Sequence, residues 1–312
     1  MTTPPSVHHD RETLPPPQMQ QVDPGIYAYT QPDGSWGLSN AGLIAGSRYA
    51  VVIDTLFTEA RNLAFREAAA EVTDVPITTV VNTHHHGDHV YGNGLYPQAT
   101  IIGHELCREE TISTGLSIKP FFPTADFGHI DVTPAFVTFT DRLNIYVDDL
   151  KVELHFVGPA HTTNDVVAWI PERRLLFTGD IAFNGGTPFF IQGSLAGHIT
   201  ACERAKQFGA ERIVPGHGPV CSPDALDGMI AYLRFIEHLA AESFAAGIPP
   251  LEAARRADLG EFARLDERER IVANLYRAYS ELRGEPLAGP LPLPGIFAEM
   301  IEFNGGPVRC LA

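Results

Sequence analysis

Four histidines and an aspartate fall within six consecutive residues, His84-His85-His86-Gly87-Asp88-His89. The stretch follows Ile77–Val81, an apolar run whose β-branched content reads as a buried strand. The cluster therefore sits on the loop leaving a strand's C-terminal end, where a rigid sheet commonly holds functional side chains. His84 and His86 lie two apart, with His85 directed elsewhere, while Asp88 and His89 are adjacent and can turn toward a second point. Neutral imidazoles and a carboxylate, with no thiolate among them, suit a borderline cation such as zinc, and iron or manganese can occupy the same donors.

Three later positions repeat the pattern. His161 stands in Gly158-Pro159-Ala160-His161-Thr162, Asp180 in Phe177-Thr178-Gly179-Asp180, and His217 in Val214-Pro215-Gly216-His217-Gly218. Each follows an apolar, strand-like run and lies in a turn rich in Gly or Pro. Together with the first cluster they offer seven ligands, enough for two metals.

The order His-x-His-x-Asp-His, then His, Asp and His, resembles the metallo-β-lactamase-fold hydrolase superfamily, over roughly residues 25–242. The resemblance implies an α/β fold, a four-layer αβ/βα sandwich, and a cofactor of two Zn2+ ions. It places His84, His86 and His161 on one zinc and Asp88, His89 and His217 on the other, with Asp180 bridging. Asp54, in Val51-Val52-Ile53-Asp54-Thr55, matches the family's early aspartate, which supports the histidine loop from behind. It reads equally as a turn or N-cap aspartate. A carboxylate-bridged zinc pair lowers the pKa of a water toward neutrality and polarises a carbonyl, so no nucleophilic Ser or Cys is required. Asp88 and Asp180 are then the catalytic carboxylates, Asp88 orienting the attacking water and helping to move its proton.

Composition narrows the partners. The chain has 22 basic and 38 acidic residues, a net charge of −16, which argues against nucleic acid and against anionic membranes. Hydrophobic residues make up 44% and charged residues 19%, as in a globular protein. Cys107, Cys202, Cys221 and Cys310 show no paired spacing and read as reduced thiols, hence a cytoplasmic location. No apolar run is long enough to span a bilayer, and the N-terminus lacks the apolar core of a secretion signal.

Along its length the chain divides in three. Residues 1–24, polar and proline-rich and containing His8-His9, are expected to be disordered or draped over the surface. Residues 25–242 are the span that the resemblance assigns to a metallo-β-lactamase-fold domain. Residues 243–312 form a helical C-terminal extension that could cover the pocket or make a homodimer contact. Strands at 26–30 and 38–45 flank the turn Gln31-Pro32-Asp33-Gly34-Ser35-Trp36, whose Trp either touches substrate or packs on the sheet. A helix at 58–72 would bury Ala60, Leu63, Ala64, Ala68 and Val72, and Ser222 would cap a helix with Pro223 in its first position. His104 and Cys107 read as core or helix-start residues. Two loops, 115–131 and 182–190, combine Phe with Gly and Pro and read either as lids lining a pocket or as loops packed on the core, the lid being the preferred reading.

The substrate is approached by comparison among branches. Thiolate-type β-lactamases are similar only in fold, since Asp180 takes the place of their metal-binding cysteine and no Lys follows it. RNA-processing members would want a basic surface. Glutathione-thioester hydrolases would want a basic C-terminal site, for which only Arg283 and Arg309 offer themselves. The turn ending in Trp36, the run His161-Thr162-Thr163-Asn164-Asp165-Val166-Val167 and the ending Phe303-Asn304-Gly305-Gly306 resemble the metallo-β-lactamase-fold cyclase/thioesterases of aromatic polyketide pathways. That resemblance implies aldol ring closure and thioester hydrolysis on a small aromatic substrate released from an acyl carrier protein. The candidate substrate contacts are Trp36, Tyr91, Phe121, Phe122, Asn184 and Phe189, with Asn164 a loop-pairing residue. Other readings are a general zinc-dependent ester, thioester or lactone hydrolase, a β-lactamase-like enzyme, and a non-catalytic metal-binding module.

Overall fold

Alternation along the central strands sorts the chain into layers. In β4 (Ala50–Ile53), Val51 and Ile53 join a core that also holds Val152, Leu154, Ala168 and Phe177. Their neighbours Ala50 and Val52 face the other way, onto Phe65 and Ala69 of helix α1 (Glu59–Val72). The same division holds on the far side: Val167, Trp169, Leu176 and Ile213 pack with Ile199, Cys202, Leu226 and Leu233 from two further helices. A strand buried on both faces must be apolar throughout, and β11 (Leu175–Phe183) is buried at all nine positions. The result is helix, sheet, sheet, helix, the expected four-layer sandwich. The computed structural model describes residues 14–312.

The first sheet runs β1 (Gln18–Asp23), β2 (Ile26–Thr30), β3 (Ala41–Ala45), β4, β5 (Ile77–Val81), β6 (Thr100–His104) and β7 (Val137–Phe139) in chain order. Pairing is antiparallel up to β4 and parallel from β4 to β7. The second sheet is ordered β12 (Arg212–His217), β11, β10 (Val166–Ile170), β9 (Leu150–Phe156), β8 (Arg142–Val147), with β11 and β12 parallel and the rest antiparallel. Both parallel sets deliver strand C-terminal ends to one edge of the sandwich, and the ligand loops leave from there. Short helix α2 (Gly87–Val90) carries the end of the histidine loop, and α3 (Glu105–Thr114) begins at His104, whose ring accepts from Leu106 N at 3.2 Å. Helices α4 (Leu195–Gln207) and α5 (Asp224–Ala245) cover the second sheet. The C-terminal α6 (Pro250–Arg256), α7 (Arg270–Leu282) and α8 (Leu293–Asn304) pack on α5 and on each other within the same core.

Three sequence readings are corrected. Residues 18–23 are not draped: Gln18 to Gln21 pair with Thr30 to Tyr27 in register, so the sheet starts upstream of residue 25. Residues 1–13 of that reading, including His8-His9, lie outside the described residues. Helix α1 buries Asn62, Phe65 and Ala69, whereas Leu63 is 43% exposed. The cause is Asn62, whose side chain bonds both the N–H and the carbonyl of Leu56, at 2.9 and 2.7 Å, and the Thr58 carbonyl at 2.8 Å. A buried amide so fully satisfied rotates its own face inward. Ser222 does not cap α5; its hydroxyl donates to Asp224 Oδ2 at 3.0 Å. The four cysteines are free thiols. Among the described residues no helix is long and apolar enough to cross a membrane.

Candidate metal centre and substrate cavity

Asp54 is where the site begins. It holds φ at +60°, at the end of β4, a left-handed conformation that Asp tolerates better than most residues. Its Oδ1 accepts from Thr83 N at 2.7 Å; its Oδ2 accepts from Thr83 Oγ1 at 2.7 Å and from His89 Nδ1 at 2.9 Å. The buried carboxylate thus fixes both ends of the histidine loop, and its role is support, with no helix capped. Because Thr83 gives its proton to Asp54, its oxygen accepts from His84 Nδ1 at 3.1 Å.

The same logic sets the remaining rings. His161 Nδ1 donates to the Phe189 carbonyl and His217 Nδ1 to the Gly34 carbonyl at 2.9 Å. His86 is turned over: its Nε2 donates to Gln192 Oε1 at 2.8 Å. Each imidazole spends its N–H outward and keeps one lone pair, on Nε2 of His84, His89, His161 and His217 and on Nδ1 of His86. These lone pairs converge in two groups, His84, His86, His161 and Asp180 in one, Asp88, His89 and His217 in the other. Asp180 touches both, with Oδ2 at 3.1 Å from His161 Nε2 and 3.5 Å from His217 Nε2, and Oδ1 at 3.2 Å from His89 Nε2.

A cation fits these donors. His161 Nε2 and His86 Nδ1, both left as acceptors, lie 2.8 Å apart. His84 Nε2, His89 Nε2 and Asp180 Oδ1 are buried without a hydrogen-bond partner. Acceptors facing acceptors at such distances repel unless positive charge lies between them. Burial, and then neighbouring rings, push His84 well below the ordinary histidine range, and burial does the same to His161, so both are neutral donors. At His89 burial opposes charge, but Asp180, Asp54 and Asp88 outweigh it and push the ring well above its ordinary value. Three carboxylates around one imidazole make a place that calls for positive charge, which a divalent ion supplies. Two glycines keep the backbone close: a Cβ on Gly216 would fall 1.9 Å from Asp180 Oδ1, and Gly179, at φ +50°, leaves room for Thr83.

Ties between the halves hold the geometry. Val166 N donates to the Thr83 carbonyl at 2.8 Å, and Asn40 Nδ2 donates to the carbonyls of Pro215 and Gly218 at 2.9 and 2.7 Å.

The match to known proteins agrees. The sequence model of the Metallo-beta-lactamase superfamily matches residues 34–217, more than half of the chain. The chain belongs to that superfamily. A type 2 metallo-β-lactamase from Bacteroides fragilis is 23% identical over 214 residues, 64% of this chain and 78% of the relative. A hydroxyacylglutathione hydrolase from Rhodospirillum rubrum is 28% identical over 147 residues, 47% of this chain and half of the relative's length (50%). Among solved structures, a metallo-β-lactamase from Pontibacter korlensis superposes with a TM-score of 0.59 at 18% identity, covering 70% of this chain and 99% of its own. The superfamily frame and the metal-binding cluster leave the substrate to the cavity.

That cavity, about 910 Å3 including its mouth, has the ligand cluster on its floor. Trp36, Tyr91, Phe121, Phe122 and Phe189 line it, as the sequence suggested. Trp36 packs on Phe122, Phe189 and Phe297, at ring separations of 5.5, 5.0 and 6.2 Å, not on the sheet, and its Nε1 donates to Glu269 Oε1 at 2.7 Å. Asn184 is a correction: it is not among the lining residues, and its Nδ2 donates to the Pro219 carbonyl at 2.9 Å, bracing the His217 loop. Phe127 and Phe190 also turn away, Phe127 onto Phe57 and Phe190 onto His198. Asn164 pairs within its loops, accepting from His85 N at 3.1 Å and donating to His85 Nδ1 at 2.9 Å. Sequence reasoning missed Phe57, His85 and Gln192, and it missed Arg270, Leu293 and Phe297, by which the C-terminal extension walls the cavity.

Proposed function

We propose that this chain is a dinuclear zinc hydrolase acting on an aromatic acyl thioester, as a polyketide cyclase/thioesterase would, with the acyl group delivered on a carrier protein. The observation that carries the reading is the wall above the ligand cluster, built by Trp36 of the N-terminal turn, Phe57 and Phe189 of the loops after β4 and β11, Phe121 and Phe122 of the loop before β7, and Phe297 of α8. Flat aromatic faces recognise flat substrates, each such contact contributing about 0.5–1.5 kcal/mol beyond area burial.

A pair of divalent cations on these ligands would supply a water-derived nucleophile at neutral pH and a Lewis acid for a carbonyl. The chain's own groups do the rest. The side chain of Asp88 is 17% exposed, against 4% or less for Asp180, His84, His89, His161 and His217. It faces the cavity, with Oδ2 at 3.3 Å from His217 Nε2. Burial opposes its charge, yet His89 and His217 hold it below the usual carboxylate range, so it stands ionised at neutral pH and can orient a nucleophile through Oδ2. The same carboxylate serves either reaction, orienting the attacking water in thioester cleavage or the acidic carbon between carbonyls in ring closure. The hydroxyl of Tyr91 donates to the Gly115 carbonyl at 3.0 Å, so Tyr91 pins the loop over the cavity and offers the substrate a ring edge.

The hydroxyacylglutathione hydrolase relative favours a second thioester, that of glutathione. Against it, Arg283 is exposed and paired with Glu285 at 2.6 Å, away from the cavity. The test is a panel: the zinc-loaded protein with N-acetylcysteamine thioesters of naphthoic and benzoic acids, S-lactoylglutathione and nitrocefin. We expect kcat/KM for the naphthoyl thioester to exceed that for the glutathione thioester by at least about tenfold, a difference of one buried aromatic ring. Preference for S-lactoylglutathione or nitrocefin would overturn the aromatic reading, and no turnover of any would favour a metal-binding module.

A further inference from the structure

Among the described residues lining the cavity, Arg270 is the one side chain with a permanent positive charge. It is 1% exposed in a protein of net charge −16. Its guanidinium carbon lies 4.1 Å from the Trp36 ring centre and 5.5 Å from that of Phe183, and Phe183 stacks on the His217 imidazole at 5.1 Å. One phenyl ring thus separates the cation from the metal-ligand cluster. Nη1 donates to the Thr187 carbonyl at 2.9 Å, and Nε has no hydrogen-bond partner. A guanidinium taken out of water with its donor set incompletely used is costly unless something else completes it.

Local structure does not account for its presence. Arg270 opens helix α7, where the helix dipole disfavours a cation. Of the nearby acids, Glu269 is engaged by Trp36 Nε1. Burial first, and then Glu269, push the Glu267 carboxyl well above the usual carboxylate range, against the opposing pull of Arg270. A planar, buried guanidinium flanked by aromatic faces is suited to an oxyanion borne on an aromatic ring, bonding its oxygens while the rings stack.

We propose that Arg270 is the specificity-determining residue of this cavity and recognises an oxyanion, a carboxylate or an ionised phenol, on the part of an aromatic acyl substrate remote from the carbonyl to be attacked. The proposal rests on the acyl-hydrolase reading above, and its test separates the two. The zinc-loaded protein is assayed with the N-acetylcysteamine thioesters of 2-naphthoic acid and 6-carboxy-2-naphthoic acid. In parallel, calorimetry measures binding of naphthalene-2-sulfonate and of the neutral 2-naphthyl methyl sulfone. In the wild type we expect KM about tenfold lower for the carboxylated thioester and about tenfold tighter binding of the sulfonate than of the sulfone. R270M should abolish both preferences, and R270K, which keeps the charge but loses the planar fork, should retain part of each. Absence of preference in the wild type, or a preference that persists in R270M with an unchanged melting transition, would overturn the assignment. Should R270M not fold, the wild-type ratios and R270K decide it. Sulfonate selectivity without turnover of either thioester would sink the hydrolase reading and leave this one standing.

Discussion

Asp54 touches no cation site itself, yet it sets the tautomers of two of the rings that do, His89 directly and His84 through Thr83. Asp54→Asn replaces one acceptor oxygen with a donor, so either Thr83 or His89 must give up its bond. Zinc affinity measured by competition with a chromophoric chelator should fall about 10–100-fold, the usual cost of losing such a support. Unchanged affinity would mean that the loop holds its rings without help. Asp180→Ala removes the oxygens that face both ligand groups. Zinc content should drop from the proposed two per chain to one or less, with activity down by orders of magnitude and the far-ultraviolet circular dichroism intact. Full turnover at full loading would show the bridge to be misassigned. All seven candidate ligands were legible in the sequence because each lies on or just after an apolar run, even though Asp180 stands within β11, His217 ends β12, and Asp88 and His89 belong to α2. Arg270 was not. It lies in Asp266-Glu267-Arg268-Glu269-Arg270, a charge run that reads as a solvated face, and only tertiary packing buries Glu269 and Arg270 while leaving Arg268 in water. Gln192 was hidden for the same reason, since nothing local announces that it meets His86.

Among the elements, the loop before β7 and helix α8 meet over the cavity, where Phe121 packs against Phe297 with ring centres 4.2 Å apart and the planes tilted by 35°. Phe121 is half-buried, but Phe122 and Phe189 are only 3% and 7% exposed. Truncating Phe122 or Phe189 therefore costs both wall and core, about 3–5 kcal/mol each, and should lower the melting temperature sharply. Phe121→Ala is the cleaner probe. It should reduce kcat/KM for a naphthoyl thioester several-fold while shifting an acetyl ester little, with a melting shift well below that of Phe122→Ala. Equal losses on both substrates would make Phe121 a packing residue only. Secondary structure was readable where a short β-branched apolar run stands before a turn, as in β5, read and found at Ile77–Val81. The reading failed on α1, because a polar residue, Asn62, occupies the buried face and displaces the apolar stripe. It failed on β1 because the strand Gln18–Asp23 is polar at most positions and owes its place to pairing with β2.

For the molecule as a whole, the ligand cluster is a stability term as well as a site. Without cations, lone pairs and three carboxylates are left facing one another in a buried space. Chelation should therefore lower the melting temperature, and zinc should restore it in a concentration-dependent way, as binding to the native state alone requires. An unchanged transition in excess chelator would show that the cluster tolerates vacancy. The exposed acidic surface contributes the opposite way: moderate salt should raise the melting temperature slightly by screening self-repulsion.

The ligands come from two sheets. His84, His86, Asp88 and His89 leave β5 of the first, whereas His161, Asp180 and His217 belong to β9, β11 and β12 of the second or to the turns that follow them. Neither sheet alone presents a complete set, so strong metal capture has to wait for the halves to dock. Zinc uptake is then a clock for that event. In a refolding experiment, the signal of a zinc-sensitive dye should lag behind the recovery of secondary structure and coincide with burial of the core between the sheets. Zinc should slow unfolding far more than it speeds folding, because its bonds form after the rate-limiting step. A chain that captured zinc in the dead time of mixing would have its halves meeting first, and the order of assembly reversed.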